Sequence, residues 1–157
     1  MMSFQKNKIL QTSCIKPDSP PAWSEKIDRW TQLDDTSFTF CQALHEWHYL
    51  ENFSRPDFVF LVLENASNAA DLDFIQSGAV SPAKFVFTLP NICAAVLFHL
   101  LNYRGRTFCL SNGKNSLELA TREALDFLKN KKTSWIFSNS IDPLNGHRVV
   151  QFLDFTN

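Results

Sequence analysis

The chain has 157 residues, a length that fits one domain with a substantial buried core. Its composition, 45% hydrophobic and 20% charged, is typical of a globular protein, and fifteen Phe against four Gly indicate a solid core with few glycine-rich loops. A formal net charge of -1 gives no electrostatic reason to expect nucleic acid or an anionic membrane as a partner.

The sequence shows no targeting segment. Residues 1–11 lack the apolar core of a signal peptide, and the longest apolar run, 92–101, is too short to span a bilayer. The cysteines have no paired spacing, so reduced thiols are expected at Cys14, Cys41, Cys93 and Cys109. These features predict a cytoplasmic protein.

The N-terminal third predicts a weak strand and two helices. The strand is expected over residues 8–15, and the first helix over 23–33. That helix would carry Trp23, Ile27 and Trp30 on one face. This stripe could be an acyl-binding or partner surface, but packing on the sheet is the commoner role for such a face.

The second helix is expected over residues 38–53, after several N-capping side chains at 34–37. It would place Cys41, His45 and His48 on one face, a set that could bind zinc or form a Cys–His dyad. Three ligands from one helix suit a tetrahedral ion poorly, so an ordinary mixed helix face is predicted and no metal or cofactor is expected.

The middle of the chain predicts the interior of a sheet and its covering helices. Residues 58–63, FVFLVL, are apolar at every position, which is typical of a strand buried on both faces. A helix is expected over 67–77 and a short strand over 85–89. Asn91 would then cap a largely apolar helix over 92–103.

Residues 106–128 predict a strand, a tight turn and a helix. The strand covers Thr107–Leu110, Gly113 suits a positive φ in the turn, and Asn115 or Ser116 could cap the helix. Such elbows often carry a nucleophile at the tip, and here the tip residue is Lys114. The helix is amphipathic, and its polar side consists of Glu118, Arg122, Asp126 and Lys129, with a favourable pair between the first two.

The C-terminal part predicts a strand over residues 134–138, a turn over 142–146 and a final strand over 148–155. The alternation of strands and helices with a terminal hairpin indicates an α/β domain, with a central mixed sheet and helices packed on it.

Five short motifs follow one another in the second half of the chain: Ser81-Pro82 with Phe85, Thr88 with Asn91, Gly105, Asn112-Gly113, and Glu123-Ala124. In this order and spacing they resemble the N-terminal half of β-ketoacyl synthases, which have the thiolase fold. The likeness is closest to the ketosynthase-like chain-length factors, including those of aryl polyene clusters. It is clearest over residues 81–138, and it implies that residues 1–157 form one domain of this type.

The resemblance implies a strand–turn–helix elbow that lacks the family's nucleophile. The family's nucleophile is a cysteine at the elbow tip, where this chain has Lys114, and chain-length factors likewise lack that cysteine. The family's catalytic histidines belong to the second half of its fold, so neither has a place before Asn157. In the complete fold the elbow helix lies between two sheets, so its polar face here is expected to meet water or a polar partner.

The resemblance also implies a partner. In ketosynthases and chain-length factors the strand before the elbow pairs with its counterpart across a dimer two-fold. The expected interface is therefore strand 106–111 with the Asn91 helix, carried by Asn91, Thr107, Phe108, Cys109, Leu110 and Ser111. The partner would be a ketosynthase or a second copy of this chain, with an acyl carrier protein as a further candidate.

Three functions remain open at this stage. The leading one is a non-catalytic, chain-length-factor-like subunit with no catalytic residue. The second is a small acyl-thioester enzyme that uses Lys114 or Cys109, although Cys109 between Phe108 and Leu110 is expected to be a small core residue. The third is a homodimeric scaffold or binding module.

Overall fold

The protein is described by a computed structural model over residues 6–12, 16–48, 55–64, 72, 74–76, 78, 92–111 and 113–155. Its strands are β1 (Lys6–Thr12), β2 (Phe58–Leu63), β3 (Arg106–Leu110), β4 (Ser134–Ile141) and β5 (Arg148–Phe155). The α-helices are α1 (Asp35–Glu46), α2 (Ile92–Leu101) and α3 (Ser116–Lys129). Within these residues no helix has the length and apolarity that crossing a membrane requires.

The strands form one mixed sheet in the order β1-β5-β4-β2-β3. β2 pairs in parallel with both β3 and β4, whereas β5 pairs antiparallel with β4 and β1. All six residues of β2 are buried, as its continuous apolar sequence predicts for a strand covered on both faces. The predicted α/β fold with a central mixed sheet is confirmed.

Helices cover both faces of the sheet. α1 and α2 pack on one face, where alternate residues of β2, β4 and β5 form a core with them that includes Leu61, Phe137 and Phe152. The other face carries α3, whose Ala120 and Ala124 are fully buried against Phe60 and Ile136. Small residues at these two helix positions let α3 approach the sheet closely.

The predicted helix over residues 23–33 is wrong. The chain forms two separate 3-10 turns there, Ala22–Lys26 and Trp30–Gln32, and Ile27 between them is extended. Trp23 and Trp30 both pack against Phe38 of α1, with ring centroids 5.4 Å and 6.4 Å from it. Since tertiary contacts bury Trp23 and half-bury Trp30, no continuous helix is needed.

α1 is shorter than predicted and begins earlier. Asp34 caps it, because its carboxylate accepts a hydrogen bond from the backbone N–H of Ser37 at 3.0 Å. The helix ends at Glu46, and His48 has a φ of 58°, the left-handed conformation that commonly terminates helices. The sequence pattern continues to residue 53, but the backbone leaves the helix before it.

The terminal hairpin is as predicted. The backbone N–H of Asp142 donates to the carbonyl of His147 at 2.8 Å, and Gly146 has a φ of 71° that only glycine adopts readily. The first strand begins two residues earlier than predicted. Residues 72 and 74–76 are helical as predicted, whereas the rest of segment 67–77 and all of 85–89 lie outside the described residues.

Candidate partner interface

β3 lies at one end of the sheet. Its inner edge pairs with β2 in a register that joins Phe60 to Phe108 and Leu61 to Cys109. No strand of the described ranges pairs with its outer edge. That outer edge therefore presents main-chain donors and acceptors to a potential partner strand.

The side chains of β3 are unusually open for an apolar strand. Arg106, Phe108 and Cys109 are exposed, while Thr107 and Leu110 are half-buried. Phe108 is 42% exposed although it is a large apolar residue. Ser111, which follows the strand, is exposed as well. The structure thus brings five of the six residues expected at an interface together on one edge, and Asn91 lies outside the described residues.

Phe108 belongs to a stack of aromatic rings on the α3 face. Its ring centroid lies 5.1 Å from that of Phe60 and 6.2 Å from that of Phe127, and the interplanar angles are 20° and 29°. Phe58 packs on Phe127 at 4.2 Å, and the Arg106 guanidinium lies 5.7 Å from the Phe58 ring centroid. The stack is buried at β2 and ends at the surface with Phe108.

The expectation that Cys109 is a core residue is wrong. Cys109 is an exposed free thiol, because its strand is at the edge and only part of its side chain is covered by protein. That partial burial raises the pKa of the thiol above its usual value. The thiol is accessible, but little of it is thiolate at neutral pH.

The elbow has the predicted frame. Gly113 has a φ of 64° and opens a 3-10 turn over Gly113–Asn115 that runs directly into α3. Asn115 occupies the N-cap position but has a helical backbone and makes no side-chain capping bond, so of the two predicted capping residues Asn115 does not cap α3, and Ser116 is its first residue. The backbone of Lys114 is part of this turn, and its side chain lies outside the described residues.

The predicted polar face of α3 is exposed. Glu118, Arg122, Asp126 and Lys129 all face solvent. The ion pair on this face joins Lys129 Nζ to Asp126 Oδ1 at 2.6 Å, and the predicted pair between Glu118 and Arg122 does not form in the described structure. Glu118 and Arg122 instead flank an open cleft of about 340 Å³ at the start of the helix.

The other candidate residues do not converge on a site. Cys41 is fully buried, His45 is exposed, and His48 lies beyond the end of α1. Burial raises the pKa of the Cys41 thiol far above its usual range. In the part of the chain that the structure describes, no three His, Cys, Asp or Glu side chains are grouped to hold a metal ion.

Sequence comparisons do not assign the chain to a family. No protein-family model matches it, and no curated protein matches it. Its structure, in contrast, is similar to a chain of the solved complex of the ketosynthase ApeO with its chain length factor ApeC from Xenorhabdus doucetiae. The two chains are 13% identical with a TM-score of 0.65, over 97% of this chain and 78% of that one.

At 13% identity the similarity between the two chains is a similarity of fold. It extends over nearly the whole chain, whereas the motifs in the sequence covered residues 81–138. The protein therefore has the thiolase-like α/β fold seen in a ketosynthase–chain length factor complex, as its sequence motifs predicted.

Proposed function

We propose that this protein is a non-catalytic, ketosynthase-like subunit that pairs with a ketosynthase through the outer edge of β3. In this proposal residues 1–157 act as one domain that supports an acyl pocket in its partner. The observation that carries the proposal is the outer edge of β3, which no strand of the described ranges covers and which has Phe108 exposed at its centre, on a fold shared with a complex of that kind.

The energetics favour strand pairing at this edge. Each main-chain hydrogen bond to a partner strand contributes about 1 kcal/mol net, and an added strand makes several of them. Phe108 would lose its remaining exposure to water, and a buried aromatic anchor at the centre of an interface often contributes about 2 kcal/mol or more. An uncovered strand with these side chains would be prone to aggregation, which pairing prevents.

The same geometry supports the absence of catalysis. Cys109 lies within β3, several residues before the elbow turn, and its raised thiol pKa disfavours the thiolate that a nucleophile needs. The elbow turn itself carries Gly113, Lys114 and Asn115 and no cysteine. The proposal therefore assigns no catalytic residue and no cofactor to this chain.

Co-expression with ketosynthases encoded near the gene tests the proposal. We expect a stable heterodimer with one of them, and its loss in Phe108→Asp. The matched control is Ile9→Asp, since Ile9 is 59% exposed on β1 at the opposite edge of the sheet. A stable monomer that binds none of these ketosynthases would refute the pairing.

One observation favours a second candidate, an acyl-thioester enzyme: the Cys109 thiol is exposed rather than buried. Incubation with acyl-thioester probes and mass spectrometry of the peptides distinguishes it. Acylation that is lost in Cys109→Ala or Lys114→Ala would support the enzyme, whereas an unmodified protein would support the subunit.

A homodimeric scaffold is the third candidate. If two copies of β3 paired antiparallel about an axis at Phe108, Arg106 of each copy would lie opposite Leu110 of the other, so no like charges would meet. Light scattering separates this candidate from the first. A stable dimer of the isolated protein that does not exchange with any ketosynthase would support it.

A further inference from the structure

The amino ends of the three parallel strands form a basic surface. β2, β4 and β3 begin side by side, in a register that aligns Phe58 with both Arg106 and Ser134. The loops that lead into these strands carry exposed cationic side chains. We call this set the basic edge: Arg55, Arg104, Arg106, Lys131 and Lys132.

Hydrogen bonds between the loops fix their relative positions. The Tyr103 hydroxyl lies 3.4 Å from the carbonyl of Pro56 and 3.2 Å from that of Arg106, so it ties the first two loops together. The backbone N–H and hydroxyl of Thr133 donate to the Asp57 carboxylate at 2.9 Å and 3.1 Å. The five cations are therefore held on a connected frame.

In the three loops of this edge the cations outnumber the carboxylates. Within residues 55–57, 102–106 and 130–133 the only carboxylate is Asp57, and Lys132 Nζ lies 3.9 Å from it. α2 and α3 end at this edge, and each helix C-terminus contributes about half a negative charge. Roughly three positive charges remain after these offsets. Because the whole chain carries -1, the rest of the protein is net negative.

We propose that the basic edge docks an acidic segment of a partner protein. The surface is continuous with the proposed interface, since Arg106 is both the first residue of β3 and a member of the basic edge. Next to the cations it therefore offers a main-chain edge with which no strand of the described ranges pairs, and the exposed Phe108 ring. A polypeptide with carboxylates beside an extended apolar stretch matches all three features, whereas a nucleic acid would match only the charge.

The inference deepens the proposed function and rests on it in one respect: it takes the acidic segment to belong to the protein that pairs with β3. The partner should then carry Asp or Glu residues beside the strand end that lies opposite Arg106. Such charges act mainly on association rate and partner choice, and salt weakens them.

A peptide assay tests the basic edge without any ketosynthase. The probe is fluorescein-labelled octaglutamate, and fluorescence anisotropy reports its binding to the full chain at about 20 mM NaCl, where charges act over about 20 Å. The variant is Arg104→Glu with Lys131→Glu. Both residues are exposed, and neither side chain makes the hydrogen bonds that join the loops. The control is Lys26→Glu with Arg29→Glu, which changes the net charge equally at exposed positions outside the basic edge, beside α2.

We expect the dissociation constant to rise at least about tenfold in the Arg104/Lys131 variant and to stay within about twofold in the control. At about 0.3 M NaCl binding should be lost in all proteins. Equal weakening in both variants would overturn the proposal, as would tighter binding of oligothymidine of matched charge. Should the reversal prevent folding, Arg104→Gln with Lys131→Gln is expected to show the same order of affinities. Failure of the ketosynthase pairing would leave the peptide result unchanged, so the two failures are distinguishable.

Discussion

The two faces of the sheet are covered to different extents. On the first face α1 and α2 close a core whose central residues, such as Leu61 and Phe137, are fully buried. A further layer, formed by Trp23 and Leu33, packs on Phe38 of α1 and Leu100 of α2. On the second face α3 is the helix of the described ranges that covers the sheet, and the aromatic stack beside it reaches the surface at Phe108.

The comparison separates a closed face from an open one. The first face has enough helices and turns to bury its apolar side chains within the chain. On the second face no described helix covers the side of β3, and Phe108 there is exposed to water unless a partner covers it. The proposed interface and the basic edge both adjoin this uncovered side.

The largest expected effect is the loss of a buried ring on the closed face. Phe137→Ala should lower the free energy of unfolding by about 3–5 kcal/mol, because it leaves a cavity among Phe40, Trp135 and Phe152. Phe127→Ala on the open face should lower it by only about 1–2 kcal/mol, since that ring is half-buried. Urea unfolding monitored by circular dichroism measures both, and equal losses would remove the contrast between the faces.

Substitution of Phe108 should affect the stability of the isolated chain less than the affinity for a partner. Phe108→Ala is expected to lower the free energy of unfolding of the isolated chain by about 1–2 kcal/mol, because 42% of the residue is already exposed to water. In the proposed complex it should weaken binding by about 2 kcal/mol, or roughly thirtyfold. Titration calorimetry with the ketosynthase and urea unfolding of the chain alone measure the two quantities. A large stability loss without an affinity loss would make Phe108 a core residue of the open face.

Asp57 tests whether the loops at the basic edge are held by charge. A hydrogen bond from the Thr133 backbone, followed by the Thr133 hydroxyl, Lys132 and Arg106, lowers the pKa of the Asp57 carboxyl. A lowered folded pKa means that the stabilisation is present above the unfolded pKa and is lost as pH falls through the folded value. Asp57→Asn should therefore be less stable than the native chain at pH 7.

The difference between the two proteins should shrink in acid, as pH falls through the lowered pKa of the native Asp57 carboxyl and the carboxylate becomes protonated. Thermal unfolding at pH 7 and in acid provides the measurement. A difference that persists unchanged in acid would show that the carboxylate does not hold these loops.

The smallest effect is expected on the solvent side of α3. Glu118→Ala should change the free energy of unfolding by less than about 0.5 kcal/mol, because Glu118 is exposed and forms no ion pair with Arg122 in the described structure. Affinity for a ketosynthase should also be unchanged. If Glu118→Ala weakened that complex severalfold, the polar face of α3 would be a partner surface. The open part of the second face would then extend from β3 to α3.

The sequence predicted those elements whose local pattern agrees with their environment. The apolar run of β2 predicts burial on both faces, and the polar and apolar sides of α3 predict its orientation. Gly113 and Gly146 mark turns because glycine tolerates a positive φ. The motifs also predicted the fold, which the structural comparison confirms.

Predictions failed where distant contacts override the local pattern. Trp23 and Trp30 suit one helix by spacing, yet each packs on Phe38 from its own short turn. Cys109 has apolar neighbours in sequence, but its exposure depends on β3 being an edge strand. Position in the sheet cannot be deduced from the five residues of a strand.

The basic edge also combines a local sequence signal with a tertiary arrangement that the sequence does not predict. Its cations lie in three segments far apart in the chain, and Lys131 and Lys132 alone suggest only a favourable interaction with a helix C-terminus. Parallel pairing of three strands brings their amino ends together and turns scattered charges into one surface. By itself the sequence determined the buried strand β2, the two sides of α3 and the elbow turn, because these depend on local periodicity and turn residues, and its motifs predicted the fold. The tertiary structure decided which apolar side chains stay exposed and which charges meet, because both depend on strand order and distant contacts.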